Sequence, residues 1–166
     1  MLTIEKSYKI LNLVNKYHNI NNDISIIQGD QFSFYTDSLG SVITIKEEFK
    51  KDSWTNFMYD YLKSNLDLDP NKYMFYDFLE AFNLLHEIGH SLQNNKDKYN
   101  NEYKIYKSKT YKDNKEAYII YRNLTLEKDA DIFASDFIKD HKFEIWSIMN
   151  NISINEAIEE YNFWNI

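Results

Sequence analysis

Residues 72–94 read KYMFYDFLEAFNLLHEIGHSLQN, and their spacing sets the architecture. Phe75, Phe78, Leu79, Phe82, Leu85, Ile88, Gly89 and Leu92 fall at steps of three and four, which is one stripe of an α-helix. Within it, Leu85-His86-Glu87-Ile88-Gly89-His90 contains the pattern H-E-x-x-H. Residues i and i+4 share a helix face, so His86 and His90 can aim imidazole nitrogens at one ion, with Glu87 beside them.

On the N-terminal side, Ile4, Tyr8, Leu11 and Val14 predict a helix over 3–18. Ile24, Ile26, Phe32, Phe34, Val42, Ile43 and Ile45 lie in short runs around Gly29-Asp30 and Asp37-Ser38-Leu39-Gly40, which predicts a small antiparallel sheet of two or three strands. A helix over 52–65 would start at Asp52 or Ser53, with Pro70 separating it from the next. On the C-terminal side, Lys-rich residues 95–115 fit no period. A solvated loop or hairpin is expected there; a lid over a substrate, or a nucleic-acid patch with interleaved Tyr99, Tyr103, Tyr106 and Tyr111, is the functional alternative. A second strong helix is predicted over 115–139, and Ser153-Ile154-Asn155-Glu156 has the capping-box form that opens a short last one. With three Gly and one Pro, punctuation is sparse. The expectation is a mostly helical α+β domain with a small sheet.

The 166 residues fit one domain with one core, and the 43% hydrophobic and 17% aromatic content can fill it. Without cysteine, disulfides and Cys-ligated metal centres are excluded, and a reducing compartment fits. Glu5, Lys6, Lys9 and Asn12 break up the N-terminal apolar residues, so no signal peptide is expected, and no run of 18 apolar residues is there to span a membrane. A soluble, cytoplasmic protein is the expectation. The formal net charge of −7 disfavours nucleic acid as a partner.

Metal chemistry explains the histidine pattern. Neutral imidazole suits zinc, and catalytic zinc keeps three protein ligands and one open position. The ion lowers the pKa of its water from about 15.7 to about 7, and Glu87 is placed to take that proton without being a ligand. Chance could also put two histidines four apart. Against chance, two of the chain's four histidines are here, and both lie on or beside the apolar stripe, where an unpaired imidazole is costly to bury. Gly89, a poor helix former, leaves room between them for a strand to pack on the helix backbone.

A third ligand is then needed. Glu127, Ala130, Asp131 and Ala134 fall at i, i+3, i+4 and i+7, one stripe of the second strong helix. Two carboxylates among alanines are unexpected on a merely solvated face, and small side chains would let this helix approach the His86 helix closely. Glu127 is assigned as third ligand and Asp131 as acceptor for the outer N–H of His86 or His90. The exchanged assignment, with Asp131 on the metal, fits the same spacing. Asp129 and Asp136 point elsewhere and are expected in solvent.

Leu85–His90 followed by Glu127-x-x-Ala130-Asp131-x-Phe133-Ala134 resembles the ImmA/IrrE metallopeptidases of phages, mobile elements and bacteria, and the Glu and Asp placement is similar to the E-x-x-x-D helix of gluzincin peptidases. The resemblance implies a zincin-like α+β fold and a zinc-dependent endopeptidase, with His86, His90 and Glu127 as metal ligands and Glu87 as general base. It further implies a protein substrate, commonly a helix-turn-helix repressor encoded nearby. The match is specific at 78–92 and 124–138. The segments before His86 and between His90 and Glu127 are longer than the family's pattern, and Phe137-Ile138-Lys139 stands where Leu-Met-Pro often follows.

Two other classes fit the same residues. A non-proteolytic regulator would bind and displace a repressor on a metal-stabilised scaffold, with Glu87 dispensable. A structural zinc protein fits least, because structural sites close with four protein ligands. Tyr118, Tyr121, Arg122 and His141 have the chemistry to stabilise an oxyanion, but each is expected to be structural or solvated. His18 is expected on the surface at a helix end.

Overall fold

The computed structural model describes residues 1–20, 23–37, 40–47, 53–67, 75–93 and 96–164. The expected N-cap at Asp52, the break at Pro70 and residues 72–74 and 94 lie outside them. Helix α1 (Ile4–Tyr17) starts where the Thr3 side chain accepts the Lys6 N–H, an N-cap in the usual form. It buries Ile10, Leu11, Leu13 and Val14, whereas Ile4 and Tyr8 are exposed, so the buried face is turned from the stripe the spacing gave. Tyr8 serves instead as a tether between α1 and the sheet, its hydroxyl accepting the Ile26 N–H at 3.0 Å.

Three strands follow, β1 (Ile24–Gly29), β2 (Ser33–Asp37) and β3 (Gly40–Lys46), in the spatial order β1-β3-β2. The sheet is mixed, not antiparallel throughout. β2 and β3 form the expected hairpin, with Phe34 opposite Ile43, but β1 runs parallel to β3, with Ile26 opposite Ile43. Residues 30–32 carry the chain past the position that β3 later fills. The strand that takes the centre is the one with the most regular buried face: Ser41, Ile43 and Ile45 are buried in alternation. Gly40, with φ +141, opens β3 in a conformation that side chains rarely adopt.

The remainder is helical: α2 (Ser53–Asn65), α3 (Phe75–Leu92), α4 (Lys96–Ser108), α5 (Asn114–Arg122), α6 (Thr125–Asn150) and α7 (Ile154–Trp164). The α+β expectation holds, with two local corrections. Part of the segment expected as a loop or hairpin is α4, and the helix expected over 115–139 is two helices. Asn123 and Thr125, both modest helix formers, are the only marks of that break in the sequence, and Leu124 between the helices is extended. α6 bends at His141 (φ −121, ψ 27) and ends at Asn151 in the left-handed conformation. The capping box is formed: Glu156 accepts the Ser153 N–H at 2.8 Å while Ser153 accepts the Glu156 N–H at 3.2 Å. Among the described residues, no helix is long and apolar enough to cross a membrane.

α3 and α6 make the most extensive helix pair. α3 buries Phe78, Leu79, Phe82, Leu84, Leu85 and Ile88, and α6 buries Ala130, Ala134, Phe137 and Ile138. Gly89 is a point of close approach between them. A Cβ built there would lie 3.2 Å from Ala130 Cα, 3.3 Å from Ala130 Cβ and 3.1 Å from Phe133 Cδ1. The space left by Gly89 therefore receives a helix, not the strand that was expected.

Gly89→Ala sets two effects against each other. Alanine favours the helix by about 1 kcal/mol, while overpacking against a backbone atom costs about 1–3 kcal/mol. We expect net destabilisation, a fall in Tm of several degrees on a scale of about 2–4 °C per kcal/mol. A rise in Tm in thermal unfolding would contradict the close approach.

Candidate metal centre

The α3–α6 contact sets His86 and His90 opposite Glu127 and Asp131. His86 Nδ1 lies 2.9 Å from Asp131 Oδ1. An ionised carboxylate only accepts, so this ring nitrogen is assigned the proton. His90 Nδ1 lies 3.0 Å from Gln93 Oε1. The Gln93 amide is oriented by its own Nε2, which donates to the Leu126 carbonyl at 2.7 Å, so its oxygen faces His90 and His90 Nδ1 is the donor as well.

Both Nε2 lone pairs are therefore turned inward. The two Nε2 atoms are 3.0 Å apart, with Glu127 Oε2 3.2 Å from the first and Glu127 Oε1 3.7 Å from the second. One ligand atom from each of His86, His90 and Glu127 lies within 4.8 Å of the others. The imidazoles and Glu127 hold one another by hydrogen bonding and charge, and Arg122 Nη1 lies 3.4 Å from His86 Nε2; the same three ligand atoms could instead meet a cation. By its donor chemistry the group could hold a metal ion, and two imidazoles with a carboxylate suit zinc and several other divalent transition metals. Burial pushes the Glu127 carboxyl up, but hydrogen bonds and charge from His86 and His90 outweigh it and hold the group well below the usual carboxylate range.

The residues behind these three decide which carboxylate faces the imidazoles. Asp131 is fully buried and its oxygens are committed: Oδ1 to His86 and to Arg122 Nη2, Oδ2 to the Tyr61 hydroxyl at 2.8 Å. Glu127 instead turns both oxygens toward the ring nitrogens and accepts the Tyr121 hydroxyl at 2.5 Å. Of the two carboxylates, Glu127 is the one that faces both imidazoles, while Asp131 lies behind His86. Burial and the adjoining carboxylates raise the hydroxyls of Tyr61 and Tyr121, so both stay protonated donors.

Tyr121 and Arg122 thus belong to the centre, although the sequence placed them only near it. Arg122 is buried and ion-paired to Asp131, with Glu127 Oε2 3.8 Å from Nη1. Tyr118 lies against Arg122, 5.8 Å from ring centroid to guanidinium, and burial pushes its hydroxyl up to about 12. His141 is elsewhere, at the bend of α6 between the rings of Tyr17 and Phe137. His18 is exposed at the end of α1, edge-on to Phe133, and Asp129 and Asp136 are exposed as expected. Sequence reasoning missed Gln93 and Tyr61. Gln93, three residues after His90, could have been found from helical spacing; Tyr61 is 70 positions from Asp131 and gives no local signal.

A cleft of about 790 Å³ opens onto this group. Phe32 and Phe34 beside β2 line one side, and Glu102, Tyr103 and Tyr118 of α4 and α5 line another. Glu87 lines the cleft next to His86. Among the described residues its carboxylate makes no hydrogen bond. Burial raises its pKa, with Glu127 adding to the effect and His86, His90 and Arg122 opposing it.

A carboxyl with a raised folded-state pKa contributes stability that is complete below its unfolded pKa and lost as pH rises through the folded one. At pH 7, then, Glu87 weakens the metal-free fold. Glu87→Gln should raise the Tm of chelator-treated protein at pH 7 by a few degrees, on a scale of about 2–4 °C per kcal/mol, and the gain should vanish near pH 4. An equal or lower Tm at pH 7 would contradict the burial of this charge.

No protein-family model, curated protein or solved structure matches this chain.

Proposed function

We propose that this protein is a zinc-dependent endopeptidase, with His86, His90 and Glu127 as metal ligands and Glu87 as general base. The observation that carries the reading is the commitment of both Nδ1–H groups to Asp131 and Gln93, which leaves two Nε2 lone pairs and one carboxylate converging. When bound, zinc supplies Lewis acidity, polarising a carbonyl oxygen and making water acidic enough to react near neutral pH. Three protein ligands leave room for a reactant, which suits catalysis better than a closed structural site.

The chain's own residues supply the rest. Glu87, half-buried on the cleft wall, accepts the proton of the attacking water and returns it to the leaving amine. Asp131 fixes the tautomer and ring orientation of His86, and Gln93 does the same for His90. Tyr121 holds Glu127 from behind. A cleft of about 790 Å³ has room for a short peptide segment, and the resemblance of the two motifs makes a polypeptide the substrate class. The family resemblance of the two motifs narrows this to a helix-turn-helix repressor as the substrate to try first, in a cytoplasmic setting. An unpaired carboxylate facing the cleft beside the ligands favours hydrolysis over a regulator that only binds and displaces a repressor.

Elemental mass spectrometry should find about one zinc per chain in the wild type and clear loss in His86→Ala and Glu127→Ala. Glu87→Gln should keep the metal while cleavage of a quenched-fluorescent peptide library falls by about 10²-fold or more. No zinc in the wild type after zinc is supplied would overturn the metal centre. Unchanged cleavage by Glu87→Gln would leave a metal centre without this base.

A further inference from the structure

Helix α6 carries Glu127 in its first turn, yet that turn has no cap of its own. The first N–H groups of a helix have no partner within it, and Leu124, in the N-cap position, offers no side-chain acceptor. The acceptor comes from another helix. Glu102 of α4 receives the Thr125 N–H on Oε2 and the Thr125 hydroxyl on Oε1, both at 2.8 Å. A carboxylate here also faces the positive end of the α6 dipole. Thr125 is two residues before Glu127.

A second tie runs beside the first. The Tyr106 ring of α4 packs on the Tyr121 ring with centroids 5.5 Å apart, and the Tyr121 hydroxyl donates to Glu127 Oε1 at 2.5 Å. α4 therefore reaches Glu127 by two routes, one through the backbone of α6 and one through its carboxylate. Glu102 and Tyr103 of the same helix also line the cleft.

We propose that Glu102 is a positioning residue of the metal centre: from α4 it caps α6, holds Glu127 in ligating position, and links metal affinity to the seating of the helix that walls the cleft. This rests on the metal-centre reading above. Helix ends fray first, and fraying the first turn of α6 would carry Glu127 away from His86 and His90. Apparent affinity then falls with the fraction of molecules in which the turn is formed. Because such coupling is reciprocal, an ion held by Glu127 also tightens α4 against α6.

Zinc affinity of the full-length chain, measured by competition with a chromophoric chelator well below the Tm, tests this. Glu102→Ala should bind zinc about tenfold more weakly, in the range typical of residues that support a ligand. Glu102→Gln keeps an acceptor for the Thr125 N–H but loses the charge and should fall between wild type and Glu102→Ala. Thr125→Val, which removes only the hydroxyl partner, should weaken binding in the same direction and serves if Glu102→Ala folds poorly. Thr3→Ala removes the α1 cap, which Thr3 makes with Lys6 of its own helix, and should leave affinity unchanged while lowering the Tm. Wild-type affinity in Glu102→Ala or Thr125→Val overturns the proposal alone. Equal weakening by Thr3→Ala overturns it as well, because general loosening of the fold would then suffice. No zinc binding by the wild type overturns the metal centre and this proposal together.

Discussion

The arrangement depends on how closely α3 can approach α6. Each helix contributes half of the candidate metal group, and neither half has meaning alone: two histidines four apart on one, two carboxylates four apart on the other. Gly89 and Ala130 remove the side-chain bulk that would keep the axes apart. The apolar residues around them, Leu85 and Ile88 on α3 with Ala134 and Phe137 on α6, keep the contact in place by burial. The core and the site are therefore one interface, and a change that loosens packing by a few tenths of an ångström also moves ligand atoms.

At the centre of that interface the polar groups fall on two sides. The outward nitrogens and oxygens are matched with care: His86 to Asp131, His90 to Gln93, Asp131 to Tyr61, Glu127 to Tyr121. The inward atoms, two Nε2 nitrogens and the Glu127 carboxylate, crowd against one another within 3.0–3.7 Å. The partners behind the group fix the orientation of the two rings and of Glu127, which is what the proposed metal centre would require of them.

The sequence made some of this legible and hid the rest for identifiable reasons. H-E-x-x-H and the Glu127–Ala134 stripe are periodic within single helices, so spacing alone brings His86, His90, Glu127 and Asp131 to shared faces. The choice between Glu127 and Asp131 was left open by spacing, since it turns on Tyr61 and Arg122, which reach Asp131 from other elements. The antiparallel expectation for the sheet followed from two turn signals, one of which does make a hairpin. β1 escapes that logic because parallel pairing leaves no signature in a short turn. The break before α6 was hidden because its cap lies on α4, twenty-three positions away, rather than in the residue that starts the helix.

The order of strands has its own consequence for how the chain assembles. The middle strand of the sheet is the last to appear in sequence, so the first two cannot pair with each other and neither edge is complete until β3 arrives. Partners in the β2–β3 hairpin, such as Asp37 and Gly40, are neighbours along the chain, whereas Ile24 and Ser41 are seventeen residues apart. Closing the short loop costs less entropy than closing the long one. Loop entropy therefore favours the hairpin as the earlier pairing, with β3 as its free edge toward β1, the strand that the Tyr8 hydroxyl ties to α1 at Ile26.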